Sequence, residues 1–305
     1  MALPDPLRDA YLARLGLDPE PPSVDALVRL FRAHVERVAY ETVWIHAGER
    51  WGIDPTEAAV RIATRRRGGY CYHLNGAFSE LLRTLGYVVD RHLGGVHGPA
   101  GPAEEALANH LVLTVRGLPS DDNPDGTWYV DVGLGDALYE LLPLRAGTWR
   151  QGPFRLALAP DASGVGDWHL AHDPAGSFPG MAWRAAPVEM DAFAERHAWL
   201  STSPESKFVR VLTAQRRDAD GVDILRGLVL RRIGSGASDS AGPEASAAPA
   251  SAGARPAEAV LASPTELADA LGDVFGIGPL APELLATLWG RVHAAHRAWE
   301  EAGRP

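Results

Sequence analysis

Arg67-Gly68-Gly69-Tyr70-Cys71-Tyr72-His73-Leu74-Asn75-Gly76 holds the only cysteine of a 305-residue chain. Two glycines lead into the thiol. Leu74, Phe78, Leu81, Leu82 and Leu85 follow at helical spacing until Gly86 supplies a stop signal. This pattern predicts a thiol at or next to a helix N-terminus, beside Arg67. Unpaired N–H groups and the helix dipole there favour thiolate over thiol. A lone cysteine is more often a small buried hydrophobe. A nucleophilic one needs a base to take its proton and a third group to orient that base, so the rest of the chain decides.

Upstream of Cys71 the pattern is helical. Ser23 can N-cap a helix whose Val24, Leu27, Val28, Phe31, Val35 and Val38 keep one apolar face, and Asp54-Pro55 marks a second start. Short helices joined by brief loops predict a helical bundle over 1–86 that carries the cysteine. From Tyr87 the signal changes to short strands, among them His110–Val115, Thr127–Val132, Phe154–Leu158 and Trp168–Ala171, with Gly/Pro punctuation. Residues 87–187 are expected to form an antiparallel barrel or sandwich. A helix near Met190–Leu200 and strands at Val209–Thr213 and Gly227–Ile233 predict a third, mixed unit over 188–305. Within it, 234–257 has no aromatic or long aliphatic side chain and is expected to be a disordered loop. Ser263-Pro264-Thr265-Glu266 reads as a capping box, and a last helix starts near Pro282.

Composition narrows the function classes. A net charge of −10 argues against a nucleic-acid partner. The single lysine, Lys207, among abundant Ala, Gly and Pro suits a GC-rich bacterial genome. One cysteine excludes an internal disulfide framework and fits a reducing cytoplasm. The first residues show neither a basic n-region nor an apolar h-region, and no apolar run nears membrane-span length. A cytoplasmic protein without a membrane partner is expected.

Eleven histidines are candidate bases. His293 and His296 lie three apart on the terminal helix and read as a solvated face. His92 and His97 flank a glycine pair with no thiol or carboxylate at ligand spacing, so no metal site is expected. His110 opens a strand and shares one face with Val112 and Thr114. Asp131, on the next strand within Val130-Asp131-Val132-Gly133, is costly to bury unless paired. If the strands are neighbours, Asp131 holds the imidazole and leaves its other nitrogen for Cys71. Spacing alone leaves a second reading open, in which the aspartate caps a turn and the histidine has no task.

These residues resemble those of the arylamine N-acetyltransferase family. Arg67-Gly68-Gly69-Tyr70-Cys71-Tyr72, with Asn75-Gly76, looks like the family's RGGxCx(E/Q)xN signature. Asn109-His110-Leu111 and Tyr129-Val130-Asp131-Val132-Gly133 look like the segments that bring its histidine and aspartate. Ala39-Tyr40-Glu41-Thr42-Val43 is similar to its PFENL segment. Ser201-Thr202-Ser203-Pro204-Glu205-Ser206-Lys207-Phe208 is similar to its ST-x-P-x-S-x-F stretch. The likeness spans roughly residues 8–233.

The resemblance implies an α+β fold: an N-terminal helical bundle, a central antiparallel β-barrel, a C-terminal α/β lid and a papain-like Cys-His-Asp core. It implies Cys71, His110 and Asp131 as catalytic residues and Arg67, Glu41 and Asn75 as support for the active-site loop. Tyr70, Leu134 and Phe208 would line the substrate pocket. The implied chemistry is two-step acyl transfer from acetyl-CoA, as cosubstrate with no tightly bound cofactor, to an arylamine or hydrazine. Two rivals keep the same triad: an amide synthase acting on a carrier-bound polyketide thioester, and a papain- or transglutaminase-like hydrolase; a third is a non-catalytic binding protein with a vestigial site. Departures from the family pattern are His73 for Glu or Gln, Thr42 for Asn, Tyr40 for Phe, and Leu134 for Phe. His73 would change the local hydrogen bonds or add a titrating group near the sulfur, and Leu134 would give a roomier or differently shaped pocket.

Overall fold

The computed structural model describes residues 2–235, 237–238, 255–256 and 258–303. The chain opens with α1 (Asp5–Leu15), α2 (Val24–Arg37), a short strand β1 (Tyr40–Glu41), α3 (Val43–Ala47), α4 (Pro55–Arg65) and α5 (Cys71–Thr84). Local chemistry sets the helix starts. Ser23 Oγ accepts from the Ala26 amide at 3.1 Å, and Asp54 Oδ1 from the Glu57 amide at 2.8 Å. Every residue of α5 from Cys71 to Leu82 is buried. A helix enclosed on all sides must pair its polar side chains. Arg91 meets two of them, reaching Ser79 Oγ at 2.9 Å and Glu80 Oε1 at 2.5 Å.

The middle of the chain forms one antiparallel sheet from β2 (Val88–His97), β3 (His110–Arg116), β4 (Trp128–Val130), β5 (Leu142–Pro143), β6 (Gly147–Gln151), β7 (Phe154–Pro160), β8 (Trp168–Ala171) and β9 (Gly180–Pro187). The strand order is β5-β4-β3-β2-β9-β8-β7-β6. The sheet curls but does not close: among the described residues, β5 and β6 are edges that do not pair with each other. The expected barrel is therefore a half-barrel. Its edges are blunted in ordinary ways: β5 ends in Pro143, which has no amide to offer, and Arg217 Nη2 takes the Gln151 carbonyl at 2.6 Å.

The remainder comprises α6 (Ala194–Thr202), α7 (Lys207–Arg210), β10 (Thr213–Arg217), β11 (Gly221–Arg226), β12 (Val229–Gly234), β13 (Ala237–Ser238), β14 (Arg255–Pro256), β15 (Glu258–Val260), α8 (Pro264–Asp269) and α9 (Pro282–Glu301). A second antiparallel sheet has the order β1-β10-β11-β12-β15. It brings Tyr40 and Glu41 opposite Gln215 and Ala214. A second apolar core, with Val43, Leu225, Leu271 and Leu288, packs against it.

Three expectations need correcting. The strand read at Val209–Thr213 begins only at Thr213, because Ser206 is buried and accepts from the Phe208 amide at 3.2 Å, capping the helical turn α7. The strand read from Gly227 starts at Val229, since Gly227 turns with φ +60°. His296 is not on a solvated face. It follows Leu288 and Val292 at four-residue steps and shares their buried stripe, beside Trp299 at 5.4 Å. Within 234–257, Gly234 ends β12, and β13 pairs in parallel with β14. The remaining reading of that stretch as a disordered loop falls largely outside the described residues. No helix among the described residues is long and apolar enough to cross a membrane.

Candidate active site

Cys71 is the first residue of α5 and is buried. The loop before it is tied down by Glu41. Glu41 Oε1 takes Arg67 Nε and the Gly69 amide, each at 3.3 Å, and Oε2 takes the Val43 amide at 2.7 Å. Arg67 also reaches Glu49 Oε2 at 3.1 Å and lies 4.9 Å above the Trp51 ring. Gly69 sits at φ +83°, and a Cβ there would stand 2.5 Å from His73 Nδ1. Only glycine suits that position, on both counts.

His110 is delivered by an unusual turn. Ala108 has φ +67°, a left-handed backbone that costs a non-glycine residue of order 1–3 kcal/mol. Its neighbours hold it there. The Tyr72 hydroxyl donates to the Ala108 carbonyl, and Asn109 exchanges two hydrogen bonds of 2.9 Å with the Val96 main chain. The Cys71 thiol lies 3.8 Å from the Asn109 carbonyl. In the sheet, Thr114 of β3 sits opposite Tyr129 of β4, so His110 and Asp131 share a face. His110 Nε2 is 2.7 Å from Asp131 Oδ2, which leaves Nδ1 as the ring nitrogen available to Cys71.

The Asp131 carboxylate is 1% exposed and meets four donors. Oδ2 takes His110 Nε2 and the Tyr129 hydroxyl at 3.0 Å; Oδ1 takes Asn75 Nδ2 at 2.7 Å and the Gly133 amide at 3.0 Å. Asn75 is itself fixed, donating to the Leu111 carbonyl at 2.6 Å and accepting from the Val132 amide at 2.9 Å. Acceptance from four donors is what an acceptor-only group takes. Gly133 closes the cage: a Cβ there would lie 2.8 Å from both Cys71 Cα and Asn75 Nδ2. Burial pulls the His110 imidazole down, but the charges of Asp131 and Cys71, with a hydrogen bond to each, push it up to about 10. The site therefore holds a proton on its base through the neutral range.

His73 has the opposite surroundings. Its Nδ1 accepts from the Tyr70 amide at 3.3 Å, so Nε2 carries the proton and donates to the Gly52 carbonyl at 3.1 Å. The first bond is the one that Glu or Gln makes in a capping box, reaching back to the residue before the helix. Burial first, then the charges of Arg61 and His197, hold His73 well below the usual histidine range. Of the two expectations for this position, the structure has the altered hydrogen bonds and not the titrating group: His73 is a neutral clamp inside a box of Trp44, Trp51, Tyr70 and His197 rings.

The expected pocket residues are dispersed. Tyr70 is completely buried, donates to His197 Nδ1 at 2.5 Å, and packs 5.2 Å from half-buried Phe208. Leu134 lines a narrow cavity with Tyr40, Asp131, Val132, Leu138 and Gln215. Sequence reading missed Tyr129 and Asn109. Tyr129 carried a signal, since a residue two before Asp131 on a strand lies on its face. Among the described residues, no three His, Cys, Asp or Glu side chains gather as metal donors.

A polarised cysteine–histidine–aspartate set at a helix start can form and break acyl–sulfur bonds. The sequence profile of the N-acetyltransferase family matches residues 23–250. The arylamine N-acetyltransferase of Mycolicibacterium smegmatis is 31% identical over 239 residues, 75% of this chain and 83% of its own. The solved arylamine N-acetyltransferase of Salmonella typhimurium shares the fold with a TM-score of 0.76, at 24% identity over 96% of this chain and 99% of its own. That of Mycobacterium marinum, solved in complex with CoA, is 26% identical with a TM-score of 0.72, covering 94% of this chain and 97% of its own. The chain belongs to the arylamine N-acetyltransferase family and is an acetyltransferase.

Proposed function

We propose that the enzyme transfers an acetyl group from acetyl-CoA to an aromatic amine or hydrazine nitrogen in two steps through an acetyl-cysteine. In the first, the Cys71 thiolate attacks the thioester carbonyl. The new C–S bond forms, the C–S bond to CoA breaks, and protonated His110 gives its proton to the departing sulfur. In the second, the acceptor nitrogen attacks the acetyl carbonyl while His110 takes its proton. The bond to Cys71 breaks and the thiolate returns. Asp131 keeps the imidazole oriented and its positive charge compensated throughout. Helix geometry leaves the amides of the first turn of α5 without intrahelical acceptors, so those of Cys71 and Tyr72 are placed to receive the tetrahedral oxyanion.

The observation that carries this reading is the 2.7 Å contact between His110 Nε2 and Asp131 Oδ2, which leaves Nδ1 for the only cysteine. Arg67, Glu41 and Asn75 act as support, holding the loop and the carboxylate. The same reading divides the labour: residues 1–86 carry the nucleophile, 87–187 the base and its orienter, and 188–305 cover the site. Of the three expected pocket residues, Leu134, which lines the narrow cavity beside Asp131, is the one placed to meet the acceptor.

The test is intact-protein mass spectrometry after mixing the enzyme with acetyl-CoA and no acceptor. A gain of one acetyl group on Cys71, discharged by adding an arylamine and absent in Cys71→Ala, is expected. An enzyme that takes no acetyl group under these conditions, yet still acetylates amines, would overturn the two-step reading.

A further inference from the structure

Tyr129 has no part in the two steps above, yet its surroundings are specific. It lies on β4, two residues before Asp131 and on the same face. Its ring is completely buried and stacks on Trp183 of β9, with centroids 4.8 Å apart and planes at 18°. The stack fixes where the hydroxyl points. It donates at 3.0 Å to Asp131 Oδ2, the oxygen that also receives His110 Nε2 at 2.7 Å. A phenol buried this deeply needs an acceptor, and this one has the oxygen that faces the base.

We propose that Tyr129 is a positioning residue for acyl transfer, its hydroxyl locking the rotation of the Asp131 carboxylate and compensating part of its charge. This role presupposes the acetyl-cysteine reading of Cys71, His110 and Asp131. Two donors on each oxygen leave the carboxylate no rotation that keeps them all. A hydrogen bond to an anion is stronger than one between neutral groups and draws charge onto the donor. With the hydroxyl removed, the full negative charge of Asp131 acts on His110 and Cys71. Both then hold their protons to higher pH.

The groups that face the pair from the surrounding elements leave this effect legible. Tyr40 of β1 and Tyr70, which precedes α5, are held well above the usual phenol range by burial first and then by the charge of Cys71. Tyr72 of α5 is raised in the same way, with Arg196 of α6 opposing. Tyr129 is raised by burial, then by the charge of Asp131 and the bond to it. None of these phenols titrates within the working range of the pair.

The experiment is the rate of Cys71 alkylation by iodoacetamide across pH, which reads the thiolate–imidazolium pair without substrate. Tyr129→Phe keeps the stack on Trp183 and deletes only the hydroxyl. Both inflections of its profile should move up by about half a unit to one unit. Site-specific 3-fluorotyrosine at 129, a stronger donor, should move them down, and it serves equally if Tyr129→Phe fails to fold. A thermal shift with unmoved inflections in the folded variants would overturn the proposal. His110→Ala separates the two levels. If it leaves the wild-type profile intact, the reading of the pair itself falls. If it abolishes the profile while position 129 has no effect, only the role of Tyr129 falls.

Discussion

His73 and His110 are both buried beside the same cysteine and are held in opposite states. His73 sits among aromatic rings and two backbone partners, and burial leaves it neutral. His110 is as deeply enclosed, but an aspartate with four donors lies against it, and its pKa is pushed up to about 10. Burial lowers both imidazoles. What separates them is first a carboxylate at 2.7 Å and then the charge of Cys71. One region clamps the chain around the nucleophile; the other stores a proton for it. A site that confused the two would either lose its base or unfasten its loop.

The largest test of that contrast is to remove the charge and keep the shape. Asp131→Asn should leave burial at His110 opposed only by Cys71 and bring its ring toward the state of His73. The rate of Cys71 acetylation near neutral pH should fall about 10³–10⁴-fold, the scale of losing a triad aspartate. Single-turnover labelling with acetyl-CoA reads the rate, and circular dichroism checks the fold. A loss below tenfold would mean that the carboxylate does not set the state of His110.

A second test uses stability, where the two histidines carry opposite signs. The folded state holds the His110 proton up to about 10, against 6.5 for a free imidazole. Its contribution is therefore fully present below 6.5 and lost as pH rises toward 10. His73 is depressed, so its contribution is present above 6.5 and lost as pH falls through its folded value. Each slope can approach about 1.4 kcal/mol per pH unit per proton. Urea unfolding across pH should show the alkaline decline flattened in His110→Gln and the acid decline flattened in His73→Gln. The same slopes in both variants as in the wild type would break the contrast.

How much of this was written in the sequence differs between the two regions. The placement of Cys71 followed from two glycines and a leucine period, because both signals are local. The meeting of His110 and Asp131 needed one inference, that successive strands are neighbours, and strand alternation then put both on one face. The aromatic box was not readable. Trp44, Trp51, Tyr70 and His197 come from four separate stretches, and nothing local marks rings that will converge. The second sheet hides similarly: β1 is two residues long, and its partner at Ala214 and Gln215 lies far along the chain. The reading of His73 as a titrating group failed for a related reason. Its proximity to Cys71 in sequence suggested chemistry, whereas the helix turns its side chain back to the Tyr70 amide and away from the sulfur's partners.

The smallest expected effect is the sharpest check on that last point. If His73 acts only as a clamp, a side chain that can accept from the Tyr70 amide should replace it. Glutamine can do so through Oε1 and can donate to the Gly52 carbonyl through Nε2, although it fills less of the aromatic box. His73→Gln should cost about 1–2 kcal/mol of stability from lost ring packing. Acetylation should stay within about threefold of the wild type, with the pH inflections of Cys71 alkylation unmoved, since a change of about 1.4 kcal/mol is needed to shift an inflection by one unit. Leucine, with no acceptor, should cost more, because the Tyr70 amide then loses its partner beside the nucleophile. An inflection that moves in His73→Gln would show that this ring does exchange a proton with the site, and the division between clamp and base would have to be redrawn.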